Sequence, residues 1–256
     1  MLLPRVIPVL LISGRRLLKT RRFADPRYVG DPINAVRIFN DKEVDELVIL
    51  DIDATPQAGP NFEVVREIVS EAFMPVCYGG GVRTLAQMER LFSLGLEKVS
   101  LGAAAATLPG LIGEAAGRFG RQSIVACVDV KRTLLGGASV VVGHARTSLG
   151  RKPAEFARAC VEAGAGEILL QAVDRDGTRK GYDLPLVKEV TAAVSVPVIA
   201  CGGAGGLEDL RLALQEGGAS GAAAGSLFVF HGRLEAVLIS YPPRADLRRL
   251  ATPRSS

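Results

Sequence analysis

The chain has 256 residues, 48% hydrophobic and 23% charged, the balance of a soluble globular protein long enough to bury a sizeable core. The formal net charge is +4, but much of the excess sits in GRRLLKTRR (14–22), a run able to meet an anion, and in PPRADLRRLATPR (242–254), read as a solvated basic tail. With no tryptophan and only 5% aromatic residues, a nucleic-acid surface is not expected, and no apolar run is long enough to cross a membrane.

Arg5, Pro4 and Pro8 break the apolar start, so no secretory leader is expected and the cytoplasm is the expected location. Cys77, Cys127, Cys160 and Cys201 form no CxxC pair and no Cys/His set with metal spacing, so they read as reduced, buried thiols. No metal and no cofactor is read from the sequence.

In chain order, strands are expected at RVIPVLL (5–11), ELVILDID (46–53), MPVCYGG (74–80), KVSLGA (98–103), SIVACVDV (123–130), EILLQAVD (167–174), VPVIACGG (196–203) and SGAAAGS (220–226). Most lack an inside/outside alternation, as befits parallel strands covered on both faces. Helical patterns lie between them, at DPINAVRIFNDKEV, NFEVVREIVSEAF, TLAQMERLFSLGL, PAEFARACVEAGA, DLPLVKEVTAAV and GLEDLRLALQEGGA. Asp31 before Pro32 is an N-cap with proline at the first helical position. Eight strands alternating with helices define an α/β protein, a (β/α)8 TIM barrel.

The barrel reads as two duplicated halves, about 1–120 and 121–242, within one domain spanning 1–256. DIDAT (51–55) returns as DRDGT (174–178). CYGGGV (77–82) returns as CGGAGG (201–206), where Gly80 maps onto Gly203 at the same offset as the first pair, and LGA (101–103) returns as AGS (224–226), again at that offset.

In such barrels chemistry sits at the C-terminal strand ends. Gly177 and Thr178, Gly202 and Gly203, and Gly225 and Ser226 converge there as a phosphate cradle, since glycines let backbone N–H groups approach an anion. The alternative is that they only allow tight strand-to-helix turns. Gly81, Gly102 and Ala103 form the weaker twin, which offers no side-chain donor. Asp129 ends the fifth strand, placed for general acid–base work or for a structural ion pair with Lys131 and Arg132. Asp53 and Asp176 end strands two and six; Asp51 and Asp174 read as loop caps. Lys19 is placed to close over an anion, and His144 and His231 read as incidental. At the opposite mouth, Arg5, Glu46, Lys98 and Glu167 begin strands one, two, four and six, two charges of each sign able to close a ring.

RVIP, DELVILDIDAT, CYGGGV, EKVS, DVKR, GEILLQAVDRDGT, PVIACGGAG and AAGSLF together resemble the cyclase subunit of imidazole glycerol phosphate synthase, over nearly the whole chain. The resemblance implies a barrel that receives ammonia from a glutaminase docked on its N-terminal face. It implies an ammonia gate at Arg5, Glu46, Lys98 and Glu167, and contacts of Lys19, Asp176 and the glycine cradles with a bis-phosphate. It also implies a pair of catalytic aspartates. One is Asp129; the other falls on Leu11, which carries no proton. The asparagine–threonine pair of the first phosphate site falls on Gly102 and Ala103, and a threonine of strand six falls on Gln171.

RYVGDPINAVRIFNDKEVDEL and AAGSLFVFHG are similar to the glycosyl amidation-associated branch of bacterial surface-polysaccharide synthesis. That branch implies a barrel that conducts ammonia to an ATP-dependent sugar amidotransferase, which amidates a sugar carboxylate. The alternatives are a true cyclase of histidine biosynthesis and a non-catalytic phosphate-binding scaffold.

Overall fold

The computed structural model describes residues 4–55, 57–108, 110–133 and 136–251. Eight parallel strands form the barrel: β1 (Arg5–Ser13), β2 (Leu47–Asp51), β3 (Val76–Gly79), β4 (Lys98–Leu101), β5 (Ile124–Arg132), β6 (Glu167–Ala172), β7 (Val198–Cys201) and β8 (Gly221–Ala224). Each pairs with the next in sequence, and β1 pairs with β8 through Arg5↔Gly221, which closes the cylinder. A closed sheet leaves no parallel edge exposed. The structure thus has the expected (β/α)8 fold.

The helices between strands carry the local signals read from the sequence. Asp31 caps Pro32–Asp41 by accepting from the Asn34 N–H at 2.9 Å. Gly164 follows Pro153–Ala163 with φ +120°, where a residue with a Cβ would be strained. The apolar stripes of these helices, with Phe39, Met88, Leu91 and Val190 buried, pack on the outer face of the barrel.

Alternate residues of each strand face the lumen. Ile7, Val9, Leu11, Val48, Cys77, Val125, Leu169, Ile199, Cys201 and Ala223 form a separate apolar cluster there. The lumen is therefore packed through its middle, as is usual for this fold.

Two segments differ from the sequence reading. The basic run 14–22 falls outside the expected strands, yet Arg16–Arg21 and Ala24–Gly30 form an antiparallel hairpin on β1, with Leu11 opposite Leu18. The expected basic tail is in part a helix, Arg244–Ala251, whose Leu247 and Leu250 are buried on the core. Leucines at 247 and 250 are three apart and so share one helical face, while Arg248 and Arg249 take the others. Charge count hid an amphipathic helix. Residues 252–256 lie outside the described part of the chain.

Candidate functional site

A cavity of about 610 Å³ opens at the C-terminal ends of the strands. Its walls come from every strand end, and they gather most of the residues singled out in the sequence. Lys19, Gly81, Gly102, Ala103, Asp129, Asp176, Gly177, Gly202, Gly203, Gly225 and Ser226 all line it, together with Leu11. Thr178 does not; its hydroxyl donates to the Arg175 carbonyl at 2.7 Å.

Lys19 reaches the cavity because the hairpin carries it there. Leu17 and Leu18 anchor that strand in the core, and Lys19 itself is only 4% exposed. Its Nζ lies against Gly225, where any Cβ would collide with it. No carboxylate comes within ion-pairing distance of Lys19 among the described residues. A buried ammonium without a counter-charge is costly, and an anion at the Gly225–Ser226 turn would supply one. Gly202 and Gly203 have φ of +92° and +115°, which excludes larger residues and lets the chain fold back beneath the turn.

Asp176 is buried and held by the hairpin. It accepts from the Thr20 hydroxyl at 3.0 Å and the Phe23 N–H at 3.4 Å, while its carbonyl accepts from the Arg22 N–H at 3.0 Å. A side chain on Gly177 would strike the Thr20 carbonyl. These contacts tie the hairpin across one side of the cavity mouth.

The twin cradle is plainer. Gly81, φ +66°, leaves no room for a Cβ, which would sit 2.9 Å from the Gly59 backbone. Gly102 precedes the short helix Ala103–Thr107 with no side-chain cap. A Cβ there would meet only the Cys127 Cβ, at 3.9 Å, an ordinary contact.

Asp129 forms no ion pair with Lys131 or Arg132 among the described residues. Arg132 instead pairs with Asp183, donating from Nε at 2.8 Å. The side-chain partner of Asp129 is the Cys127 thiol, at 3.5 Å. Burial pushes the Asp129 carboxyl up to about 6, with Asp176 adding to it and the thiol opposing. A carboxyl poised near neutrality is suited to exchanging a proton. Leu11, 8% exposed, also lines the cavity; its side chain is a hydrocarbon and carries no proton. Cys127 and Cys201 are pushed up by burial, Cys201 to about 12, and so stay as thiols.

The loop caps behave as expected. Asp51 accepts from the Asp53 and Ala54 N–H groups at 3.1 and 3.2 Å and from the Tyr78 hydroxyl at 3.2 Å. Asp53 binds the Ser13 hydroxyl, and Asp174 accepts from the Arg132 N–H at 2.7 Å. His144, read from the sequence as incidental, lines the cavity. The strand Ala138–Val142 forms an antiparallel hairpin with the end of β5, and the turn after it brings His144 and Arg146 to the cavity rim. The β-branched run ASVVV was the available signal. His231 lies away from the cavity lining.

At the N-terminal face the expected ring is closed. Arg5 donates to Glu167 at 2.7 Å and to Glu46 at 2.5 and 3.1 Å; Lys98 donates to Glu46 at 2.9 Å and to Glu167 at 3.3 Å. Each cation bridges both anions. Burial opposes the Arg5 charge, but the Glu167 and Glu46 carboxylates outweigh it and hold the guanidinium above its ordinary value.

A parallel eight-stranded barrel with an open cavity at one end and a charged ring at the other is a frame for small-molecule chemistry. The family comparison is more specific. The model described as "Histidine biosynthesis protein" matches residues 5–235, and the chain belongs to that family. It is 53% identical over 239 residues to "Putative imidazole glycerol phosphate synthase subunit hisF2" of Pseudomonas aeruginosa, covering 93% of this chain and 95% of the relative. It is 47% identical over 253 residues to a hisF3 protein of Vibrio vulnificus bearing the same qualified name, with 97% and 96% covered. It is also 40% identical over 232 residues to "Imidazole glycerol phosphate synthase subunit HisF" of Alkaliphilus metalliredigens, with 90% and 92% covered.

Proposed function

We propose that this chain is the barrel subunit of a glutamine-dependent synthase of the imidazole glycerol phosphate synthase type. A glutaminase docks on the N-terminal face, and its ammonia is used at the C-terminal cavity. The observation that carries this reading is the pairing of the two ends: a closed Arg5–Glu46–Lys98–Glu167 ring below, and a cavity lined by Lys19 without an ion-pair partner and by the Asp129 carboxyl above. The names of the relatives support an imidazole glycerol phosphate synthase reaction in histidine biosynthesis, which the sequence resemblance implies to be the cyclisation of a bis-phosphate. In that reading Lys19 with Gly225 and Ser226 holds one phosphate, Gly81 with Gly102 and Ala103 meets the other through backbone N–H groups, and Asp129 moves the proton.

Leu11 favours a second reading. Cyclisation that uses two carboxylates loses on the order of 10²- to 10⁴-fold when one general acid–base is missing. A barrel that only relays ammonia loses nothing by it. In that reading the subunit delivers ammonia to an ATP-dependent amidotransferase acting on a sugar carboxylate in surface-polysaccharide synthesis. The packed lumen bears equally on both readings: ammonia is small and uncharged, so the apolar cluster need only breathe, not open a wet pore.

The deciding experiment is stimulation of a cognate glutaminase by the purified barrel, with and without the histidine-pathway bis-phosphate. Stimulation supports the shared part of the proposal, and product formation from the bis-phosphate supports the cyclase reading. Absence of any stimulated glutaminase turnover leaves the phosphate-binding scaffold as the better account.

A further inference from the structure

Two side-chain oxygens among the described residues are buried with no hydrogen-bond partner: Ser100 Oγ and Gln171 Oε1. Both residues line the C-terminal cavity, at 3% and 5% exposure. Ser100 stands two residues beyond Lys98 on β4, and Gln171 four residues beyond Glu167 on β6. The two strands that place Lys98 and Glu167 in the ring thus each place an unsatisfied polar atom beyond the apolar layer.

Gln171 has defined neighbours. It is in register with Asp129 on one side and with Cys201 on the other. An ionised Asp129 accepts and does not donate, and a cysteine thiol is a poor donor. A carboxamide oxygen also only accepts, so nothing beside it provides the N–H or O–H it lacks. Leaving such an acceptor buried and unpaired costs free energy that a donor ligand would recover. A ligand carrying several N–H groups would serve Gln171 and the Asp129 carboxylate together.

We propose that Gln171 holds the ammonia that leaves the apolar layer, accepting one of its N–H groups at Oε1 beside Asp129. This inference rests on the glutaminase-coupled reading for the source of the ammonia, but not for the site. Ammonia fits the chemistry: it crosses hydrocarbon without a charge to desolvate, and it offers three donors at the first acceptors it meets. The lone pair on nitrogen stays free for attack on an acceptor in the cavity.

The test uses the full chain labelled with 15N-glutamine. There are five glutamines, and the Gln171 side-chain signal is identified by its loss in Gln171→Met, or in Gln171→Glu where the first variant does not fold. Ammonium chloride is titrated at alkaline pH, where free ammonia is plentiful, against sodium chloride at the same ionic strength. The expected result is a saturable shift of the Gln171 signal with ammonium chloride alone. No shift, or the same shift with sodium chloride, overturns the proposal and leaves Gln171 to water. The outcome is separable from the partner reading. A shifted Gln171 with no stimulated glutaminase keeps the site and discards the partner; a stimulated glutaminase with an unmoved Gln171 does the reverse.

Discussion

The Lys19 ammonium lies against Gly225, so closely that residue 225 has no space for a methyl group. The two residues come from opposite ends of the chain and meet because β1 and β8 are hydrogen-bonded neighbours and the hairpin after β1 folds back over them. The constraint at 225 comes from its neighbours, the movable Lys19 ammonium and the Val9 carbonyl oxygen at 3.0 Å from a Cβ, and not from its own backbone angle, since its φ is −108°. Gly225→Ala should therefore push the ammonium out of the cradle. We expect phosphate or phosphate-ester affinity to fall about tenfold, the value of one charge-assisted hydrogen bond, with little change in melting temperature. Isothermal titration of both proteins with inorganic phosphate checks this.

The ring at the other mouth makes a different prediction. Each cation serves two carboxylates, so removing Glu46 leaves Arg5 and Lys98 with half their compensation. Fully buried pairs broken in this way cost about 3–5 kcal/mol. Arg5 remains 30% exposed, so Glu46→Ala should cost less, about 2 kcal/mol. Urea denaturation measures the loss, and the same variant should stimulate a docked glutaminase more weakly than the parent.

Asp129 gives the pH dependence. Burial raises its folded pKa to about 6, against about 3.9 for an unfolded aspartate. The folded state therefore binds more protons between those values. The favourable contribution is fully present below about pH 4 and is lost as pH rises through about 6. Asp129→Asn removes that loss and should stabilise the protein by about 1–2 kcal/mol at pH 7.5, with the gain vanishing near pH 4. Any activity that uses the ionised carboxylate should fall as pH drops through about 6 and be abolished by the same substitution.

Much of this was legible in the sequence because a parallel barrel writes its strands as short apolar runs. All eight strands fall where those runs fall, and the ring could be anticipated because Arg5, Glu46, Lys98 and Glu167 each stand at the start of one. What stayed hidden depends on side chains that cross between elements. That Arg132 would choose Asp183 over Asp129 is a matter of direction, not spacing. His144 enters the cavity wall only because an extra hairpin lengthens β5. The C-terminal helix was masked by its own arginines; Leu247, 2% exposed, is its test. Leu247→Ala should cost about 2–3 kcal/mol, as for other buried leucines, where a solvated tail would cost nothing. Thermal or urea unfolding distinguishes the two.

The most direct measurement concerns Leu11, which lines the same cavity as Asp129. Turnover of the imidazole glycerol phosphate synthase bis-phosphate, with ammonium salt as the nitrogen source, should be compared between the parent chain and a Leu11→Asp/Gly102→Asn/Ala103→Thr variant. A Cβ at Gly102 would make only an ordinary contact, with the Cys127 Cβ at 3.9 Å. If Leu11 marks a lost proton carrier, the parent should be slower by at least about 10²-fold, the span of one general acid–base group. A parent that turns over as fast as the variant would contradict that, and would make the chain a working cyclase with Asp129 as its sufficient carboxylate.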